Sequence, residues 1–325
     1  MNPSLPGKIA PAAETPSCYA DAAVFSSARI VDHTQIADQT WRLRLDCPEI
    51  AAAAIPGQFV MLRIPHRSDP LLARPLAVYD TFGEHSGGDG GHPTAVPRRY
   101  VDFVYAVHGR FTTALREIPV GRELTVWGPL GNGFRIPTVY HLVLVAGGIG
   151  QTALLGLGRE RLGLKTYGPP KRSPVPLADR VTFCWGARHA GLFGGIDDFR
   201  AAGMAVHQAT LDGSVGLHGT VVDLLDSLFG SAAENVFPAA GGGQTATSSR
   251  RMHVACCGPE GMMAAVARWS ASKQISCDVS LEAPMACGIG ICFTCVAKIR
   301  DTSGGWDYRR TCIEGPVFDA TRVEW

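Results

Sequence analysis

Alternating apolar and polar positions mark the first part of the chain. Residues 41–45 read Trp-Arg-Leu-Arg-Leu, an alternation that is typical of a half-buried β-strand. Three more runs bounded by Gly and Pro are strand candidates: Phe59–Ile64, Tyr100–Val107 and Glu123–Trp127. The pattern predicts an antiparallel β-barrel over residues 27–137. We expect a mobile tail before it, at residues 1–26, and an exposed Gly-, His- and Pro-rich loop at residues 83–99.

The pattern changes after residue 137. Residues 141–146 form a continuous apolar run, as in a buried parallel strand, and a glycine-rich turn and a predicted helix from Gln151 follow. Later strand candidates alternate with helical stretches, the strands at 181–185, 204–210 and 252–257 and the helices at 219–229 and 259–270. This alternation predicts a doubly wound parallel sheet over residues 138–272. Polar insertions are expected at 165–179 and 231–251, and a small separate module at 273–325.

Composition and charge limit the function classes. The chain has 325 residues, enough for two or three domains, and its 46% hydrophobic and 18% charged content is that of a globular protein. A net charge of +1 without a long charged run gives no support for nucleic-acid binding. No apolar run reaches the ~18 residues of a membrane span, and the first 20 residues lack a signal-peptide pattern. We therefore predict a cytoplasmic protein whose ten cysteines are free or metal-bound.

Four cysteines near the C-terminus carry the most specific chemistry. They are spaced Cys-x4-Cys-x2-Cys, then sixteen residues, then Cys: Cys287, Cys292, Cys295 and Cys312. Plant-type ferredoxins hold a [2Fe–2S] cluster with this opening spacing, whereas zinc sites usually show two separated pairs. A loop around a cluster needs unusual backbone angles, which Gly288 and Gly290 supply. The spacing predicts a [2Fe–2S] site, with zinc or disulfides as the alternatives.

The barrel segment contains a candidate flavin site. The stretch Arg74-Pro75-Leu76-Ala77 offers an arginine for a pyrophosphate and a proline that stiffens the strand. Tyr105, in a later strand, is positioned to stack on a flavin. Near the start of the next predicted helix lie residues that can present hydroxyl and N–H groups to phosphate, Thr112 and Thr113. By itself the four-residue motif at 74–77 is weak evidence for a flavin site, because any strand end can carry it.

The second segment contains a candidate nucleotide site. Gly147-Gly148-Ile149-Gly150 follows a buried strand, where glycines let the backbone approach a pyrophosphate. Cys257-Gly258-Pro259-Glu260 also ends a strand and begins a helix, with Pro259 suited to the first helical position. Cys257 is expected at the carboxyl edge of the sheet, where ligands bind, and Cys256 in the core on the opposite face.

Taken in this order, the motifs resemble the ferredoxin-NADP reductase superfamily. Within it, the chain is similar over residues 27–320 to the electron-transfer subunits of class 1B dihydroorotate dehydrogenases. Supporting segments are Pro56–Val60, Gly128–Phe134 and Leu281–Gly290. The resemblance implies flavin-ring contacts from Arg74, Pro75, Leu76 and Ala77, and further flavin contacts from Val104, Tyr105 and Ala106. It implies phosphate contacts from Phe111, Thr112 and Thr113, nicotinamide-nucleotide contacts from Gly147, Gly148, Ile149, Gly150, Cys257, Gly258, Pro259 and Glu260, and cluster ligands Cys287, Cys292, Cys295 and Cys312.

Two positions depart from the family pattern. Ala77 stands where the family commonly has Ser or Thr near the flavin's reactive N5, so a backbone N–H must serve there. Phe111 stands where a Gly often precedes the phosphate-binding Thr, which weakens the assignment of the phosphate contacts.

The resemblance also implies a function. The chain would be an oxidoreductase subunit that uses FAD, a [2Fe–2S] cluster and NAD. Its partner would be an FMN-containing subunit that oxidises dihydroorotate to orotate in de novo pyrimidine (UMP) biosynthesis, in an assembly with two of each subunit. The partner interface would surround residues 287–295, where Ile289, Ile291 and Phe293 either pack on the partner or shield the cluster. The alternatives are an NAD(P)H-dependent reductase serving a hydrogenase, sulfur reductase or oxygenase, and a redox-sensing module.

Overall fold

The computed structural model describes residues 23–84, 97–134, 137–169, 175–230, 252–301 and 304–325. The expected tail up to residue 22, most of the predicted loop at 83–99 and the insertion at 231–251 lie outside the described residues, as does part of the insertion at 165–179. Among the described residues, no helix combines the length and apolar character needed to cross a membrane.

The first sheet has seven antiparallel strands in the order β4-β3-β7-β1-β2-β6-β5. The strands are β1 (Val24–Ala37), β2 (Thr40–Asp46), β3 (Phe59–Arg63), β4 (Arg74–Ala77), β5 (Asp80–Gly83), β6 (Arg98–Ala106) and β7 (Glu123–Leu130). Only Val78 and Tyr79 separate β4 from β5, although these strands form opposite edges of the sheet. The sheet must therefore curl until its edges nearly meet, which gives the predicted barrel its shape.

The barrel has its own apolar core. Alternate residues of β2 and β6, such as Leu43, Leu45 and Phe103, are fully or almost fully buried, as the period of two predicts. The short helix α1 (Pro48–Ala53) contributes Ile50 to this core. The barrel begins earlier than predicted: Val24 pairs with Gly128, because the first three residues of β1 continue its ladder with β7. Residues 24–26 thus belong to a strand, not to a tail.

The second sheet also has seven strands, in the order β11-β10-β9-β8-β12-β13-β16. Its strands are β8 (His141–Gly147), β9 (Arg180–Ala187), β10 (Ala205–Thr210), β11 (Leu217–His218), β12 (Met252–Cys257), β13 (Ser276–Ser280) and β16 (Val317–Asp319). All pairs are parallel except β13 with β16. Strand order reverses between β8 and β12, which places a ligand crevice at their carboxyl ends.

Helices cover both faces of this sheet, as a doubly wound fold requires. α3 (Leu155–Arg161) and α4 (Ile196–Ala201) pack on one face, and α5 (Val221–Phe229) and α6 (Glu260–Ser272) on the other. A capping box between Thr220 and Asp223 fixes the start of α5. Pro259 is the N-cap of α6 and not its first helical residue as predicted, so the helix begins one residue later, at Glu260.

The helix predicted from Gln151 begins differently. Gly148–Ala153 forms a 3₁₀ segment, and α3 begins only at Leu155. Gly148 has a φ of +52°, and glycines at 148 and 150 favour an α-helix poorly. The tight 3₁₀ turns place residues 149–152 against the edge of the sheet instead of in a regular helix.

The C-terminal module is an excursion from the second sheet. β13 and β16 are neighbours in that sheet, and residues 281–316 leave it and return. The excursion holds the four predicted ligand cysteines and the hairpin of β14 (Val296–Arg300) and β15 (Trp306–Arg310). Residues 276–280 fall within the module predicted at 273–325, yet they form β13 and pair with β12 of the second sheet. The domain boundaries at 138 and 273 stay predictions, but the strand pairing across residue 273 is observed.

Charged groups join the barrel to the second sheet. Asp80, in β5, is fully buried and accepts hydrogen bonds from Arg159, from Lys165 at 2.6 Å and from Tyr167 at 2.7 Å. Burial alone would raise the pKa of Asp80, but the charges of Lys165 and Arg159 outweigh it and hold the pKa below its usual value. Buried ion pairs and hydrogen bonds therefore hold the barrel against the second sheet.

Candidate functional site

A cavity of about 1970 Å³ lies between the barrel and the carboxyl ends of β8, β9 and β12. Ligand pockets commonly measure ~300–1,000 Å³, so this space suits more than one nucleotide-sized ligand. Its wall includes residues from the predicted flavin and nucleotide sites, for example Arg74 and Gly148, and Thr294 from the cysteine loop, whereas none of the four predicted cluster ligands lines it. Motifs that are up to 220 residues apart in sequence thus border one space.

Strand β4 forms one wall of the cavity, with Arg74, Pro75, Leu76 and Ala77 all lining it. The Arg74 guanidinium donates to the carbonyl of Ala73 at 2.9 Å and is otherwise exposed, which leaves it able to meet a phosphate. The other three side chains carry no hydrogen-bonding group. Polar contacts to a ring beside β4 must therefore come from backbone groups or from another element.

Strand β6 supplies Val104, Tyr105 and Ala106 to the same wall. Tyr105 is 2% exposed, and its hydroxyl lies 2.8 Å from Nε2 of His33, whose Nδ1 lies 2.9 Å from the carbonyl of Ile118. Since Nδ1 must donate to that carbonyl, Nε2 accepts from the Tyr105 hydroxyl. Burial raises the pKa of Tyr105 above its usual value. Tyr105 borders the cavity, but its ring is packed in the barrel core and its hydroxyl is occupied.

The three predicted phosphate-contacting residues lie in α2 (Gly109–Arg116), but they do not all border the cavity. Phe111 is buried in the barrel core, and both Phe111 and Thr112 border the cavity. The Thr112 hydroxyl accepts from the His108 N–H at 2.6 Å and donates to the His108 carbonyl at 2.7 Å. Thr113 borders a separate shallow depression with Asp69 and Glu117. Backbone N–H groups of this helix are thus better placed than its hydroxyls to meet phosphate.

The turn after β8 forms the opposite wall, with Gly147, Gly148, Ile149 and Gly150. A Cβ on Gly148 would meet nothing within 4 Å, so its backbone faces open space. A Cβ on Gly150 would overlap the carbonyl group of Cys257, which shows how closely this turn approaches the end of β12. The indole N–H of Trp185 donates to the Gly148 carbonyl at 2.8 Å and fixes the turn.

Strand β12 ends in the predicted Cys257–Glu260 motif. Cys257 and Pro259 border the cavity, whereas Glu260 is exposed at the start of α6. Burial raises the pKa of the Cys257 thiol to about 12, with Glu282 adding to the effect, so the thiol stays neutral. Cys256 is fully buried in the core of the other face, as predicted.

The four candidate cluster ligands influence one another in two pairs, Cys287 with Cys292 and Cys295 with Cys312. The Thr294 hydroxyl donates to Cys292 Sγ at 3.2 Å, and this bond is the main cause that lowers the pKa of Cys292 to about 6. The interaction with Cys312 lowers the pKa of Cys295 to about 6 and raises that of Cys312. Within the described residues, no group of three or more His, Cys, Asp or Glu side chains is arranged to hold a metal ion.

The cysteine loop packs against the barrel. Cys295 and Cys312 share a small buried cluster with Phe59, Met61 and Met285. A Cβ on Gly288, whose φ is +72°, would lie 2.5 Å from Met61 Cγ, so only glycine lets the loop lie this close. The Trp127 indole donates to the Cys287 carbonyl at 2.9 Å. Met285, Ala286 and Thr294 also border the cavity, so it reaches the cysteine loop.

Sequence reasoning missed several residues of this region. The Asp80 group carries no motif, and its partners lie 79 to 87 residues away in sequence. The sequence predicts Trp185 only as part of a strand, yet its indole holds the Gly148 turn. The sequence predicts Gln151 as the start of a helix, yet it is fully buried beside the cavity. A hydrophobic pattern does not reveal such long-range polar partners.

Comparisons with known proteins show which family the chain resembles. A family model, the iron–sulfur cluster binding domain of dihydroorotate dehydrogenase B, matches residues 282–324. The dihydroorotate dehydrogenase B (NAD(+)) electron transfer subunit of Desulforamulus reducens is 30% identical over 92% of this chain and 97% of its own length. The subunit of the same name from Listeria monocytogenes is 31% identical over 91% of this chain and 97% of its own.

A solved structure shows the same fold. The NADH-dependent reduced ferredoxin-NADP oxidoreductase has a TM-score of 0.67 and 24% identity, and the match covers 92% of this chain and 90% of the other. The barrel, the doubly wound sheet and the C-terminal excursion therefore form an architecture already known in reductases.

Proposed function

Because the chain belongs to the family of electron-transfer subunits of dihydroorotate dehydrogenase B, we propose that it carries electrons between a catalytic dihydroorotate-oxidising partner and NAD. The observation that carries the proposal is the single cavity that joins the glycine turn, the β4 wall and the cysteine loop. When bound, FAD would exchange a hydride with NAD(H) and single electrons with a [2Fe–2S] cluster. The residues of this chain hold and orient these groups.

The residues present suit these cofactors. Open space beside the Gly148 backbone leaves room for a nucleotide at the topological switch point of the sheet. The exposed Arg74 guanidinium suits the FAD pyrophosphate, and Tyr105 borders the space for its flavin or ribityl part. The spacing of the four cysteines suits a [2Fe–2S] cluster, and Cys295 and Cys312 lie in a buried apolar setting beside Met285.

Exclusion of water and local donors support the cluster assignment. Cys295 and Cys312 are almost fully buried beside Met61 and Met285. Thr294 donates to Cys292 Sγ and lies at the cavity wall, so one residue touches both the ligand loop and the proposed flavin space. Hydrogen bonds to ligand sulfurs stabilise thiolate charge and raise the potential of a cluster.

The surface beside Cys292 supports docking of a partner there. Ile291 and Phe293 are 73% and 62% exposed, and Trp306 and Tyr308 of the hairpin are also exposed. Arg310 lies over the Phe293 ring at 4.9 Å, and Trp306 contacts Tyr308 at 5.4 Å. We call Phe293, Tyr308 and Trp306 the aromatic stripe. Exposed apolar residues in one patch are typical of an interaction site.

We propose that the partner is an FMN-containing catalytic subunit, in an assembly with two of each subunit. The aromatic stripe would receive it, because the exposed edge of the cysteine loop is the shortest exit for electrons. The cations Lys298 and Arg310 beside the stripe favour an apolar partner surface with acidic groups at its rim.

Reconstitution tests this function. The full chain, produced with the catalytic subunit encoded by the same organism, should yield a complex that reduces NAD when dihydroorotate is added. Phe293→Ser and Trp306→Ser should weaken the complex at least tenfold, whereas Leu177→Ser, at an exposed position in the loop before β9, should not. A stable complex without dihydroorotate-dependent NADH formation would refute the proposed function, and unchanged affinity of both stripe variants would refute the docking site.

A further inference from the structure

Thr294 connects the cysteine loop to the cavity. It lies between two of the candidate cluster ligands, Cys292 and Cys295, and it is itself part of the cavity wall. Its hydroxyl donates to Cys292 Sγ at 3.2 Å, a normal length for a bond to sulfur. None of the four cysteines lines the cavity, so Thr294 is the point at which the ligand loop meets that space.

The backbone before Thr294 is held in an unfavourable conformation. Phe293 has a φ of +57°, a left-handed angle that a bulky residue rarely adopts. Such residues persist only where their surroundings fix them, and they cluster at functional sites. Here Arg310 lies over the Phe293 ring at 4.9 Å and donates to the Gly290 carbonyl at 3.0 Å. The turn at Phe293 brings the hydroxyl of residue 294 back to the sulfur of residue 292.

The candidate ligands lie in different environments. Cys295 and Cys312 are 2% and 1% exposed, in the apolar cluster under the loop, whereas Cys292 is exposed. Negative charge is costly in an apolar setting, and water and hydrogen-bond donors stabilise it. A cluster gains one negative charge on reduction, so this charge is best accommodated on the Cys292 side. The donor from Thr294 lies on that side.

We propose that Thr294 is a positioning residue that raises the reduction potential of the cluster through its hydrogen bond to Cys292. The inference deepens the proposed function and rests on it, since it assumes that the four cysteines hold a [2Fe–2S] cluster. A hydrogen bond strengthens as its acceptor becomes more negative, so the hydroxyl stabilises the reduced form more than the oxidised form.

Thr294→Val tests the assignment, because valine keeps the branched shape and removes the hydroxyl. In the full chain, purified anaerobically with its FAD and cluster, the iron content should equal that of the wild type, since no ligand is changed. In a redox titration followed by EPR, the ratio of reduced to oxidised cluster at the wild-type midpoint should fall about tenfold, equivalent to ~59 mV for one electron. The g-values of the reduced cluster should also shift, because the bond acts on a ligand sulfur.

Thr294→Ser and Thr321→Val are the matched controls. Serine keeps the hydroxyl, so Thr294→Ser should restore most of the potential that Thr294→Val loses. Thr321 is exposed, and its hydroxyl donates to Asp319 at 2.7 Å. Thr321→Val should therefore leave the potential and the g-values unchanged, although it makes the same chemical change.

Three outcomes would overturn the inference. An unchanged potential in Thr294→Val, at full iron content, would mean that the hydroxyl does not act on the ligand of the bound cluster. An equal fall in Thr294→Ser would assign the effect to packing of the methyl group. Loss of iron from Thr294→Val would mean that the hydroxyl is needed to hold the cluster, not to set its potential. A wild type without a [2Fe–2S] signal would instead refute the proposed function, which its own spectrum reveals without any variant.

Discussion

Two glycines separated by a single residue serve the nucleotide-side turn in different ways. Gly148 has a positive φ and faces open space, whereas Gly150 has ordinary backbone angles but no room for a side chain. The first is a conformational requirement, and the second is a packing requirement imposed by Cys257 in β12. A sequence motif of glycines does not distinguish the two.

Alanine at each position should separate these requirements. Gly150→Ala should destabilise the fold by about 1–3 kcal/mol, because backbone atoms of two elements must move apart. Gly148→Ala should cost only about 1 kcal/mol for the left-handed backbone, but its methyl group would crowd a bound nucleotide and raise KM for NADH. Urea denaturation and NADH kinetics measure both effects. Equal losses of stability would contradict the packing argument.

His141 should make stability depend on pH. Burial, with a smaller contribution from Arg180, lowers its pKa to about 4, and its Nε2 lies 2.8 Å from the Thr182 hydroxyl. Between pH 6.5 and 4 the unfolded chain binds the proton more readily, so stability falls as the pH falls through this window, by at most about 3 kcal/mol from this group. His141→Gln should flatten the slope in urea denaturation at pH 4.5 to 7. An identical slope in the variant would assign the effect to other groups.

At the scale of elements, the main regions were predictable and their mutual contacts were not. The strands around residues 41–45, 141–146 and 252–257 follow from local periodicity, and the structure confirms them. The pairing of residues 276–280 with β12 could not be predicted, because this segment reads as part of the cysteine module. Local patterns report burial, whereas the choice of neighbour depends on the whole chain.

The candidate site shows the same division. Glycine turns and cysteine spacing carry their chemistry in a few adjacent residues, so they are visible in sequence. Asp80 gains its role from charged and polar groups of other elements, and nothing nearby in sequence marks it. Phe111 stands where the family often has Gly, and its side chain packs in the barrel core, which a local motif does not reveal.

Asp80 is the element-scale contact with the largest expected effect. Asp80→Asn keeps the shape but leaves Lys165 and Arg159 without their carboxylate, between α3 and the barrel. Loss of one partner from a buried ion pair typically costs ~3–5 kcal/mol, and about 3 kcal/mol is expected here. Asp197→Asn breaks the exposed pair with Arg200 and should change stability by less than ~0.5 kcal/mol. Similar losses for the two variants in urea denaturation would refute this.

At the scale of the whole molecule, the three regions meet at one cavity. The barrel provides β4 and β6, the doubly wound sheet provides the ends of β8 and β12, and the excursion provides Met285 and Thr294. Asn132, just after β7, ties the excursion down by bonding the Val317 N–H and carbonyl, at 3.1 Å and 2.8 Å. The cysteine loop is therefore held against the barrel from both ends, with only its Cys292 side open to solvent.

Cys292→Ser should separate binding of the cluster from reduction of the flavin by NADH. Serine is a poorer ligand for iron than thiolate, so the iron content of anaerobically purified protein should fall to near zero. The glycine turn and the β4 wall do not involve Cys292, so NADH should still reduce the bound flavin at a rate within about twofold of the wild type. Transfer onward to the catalytic subunit should be lost. Cys47→Ala, which alters a buried barrel cysteine far from the loop, should keep its iron and both activities. Full iron content in Cys292→Ser would exclude this residue as a ligand, and loss of flavin reduction would mean that the cysteine loop also shapes the nucleotide site.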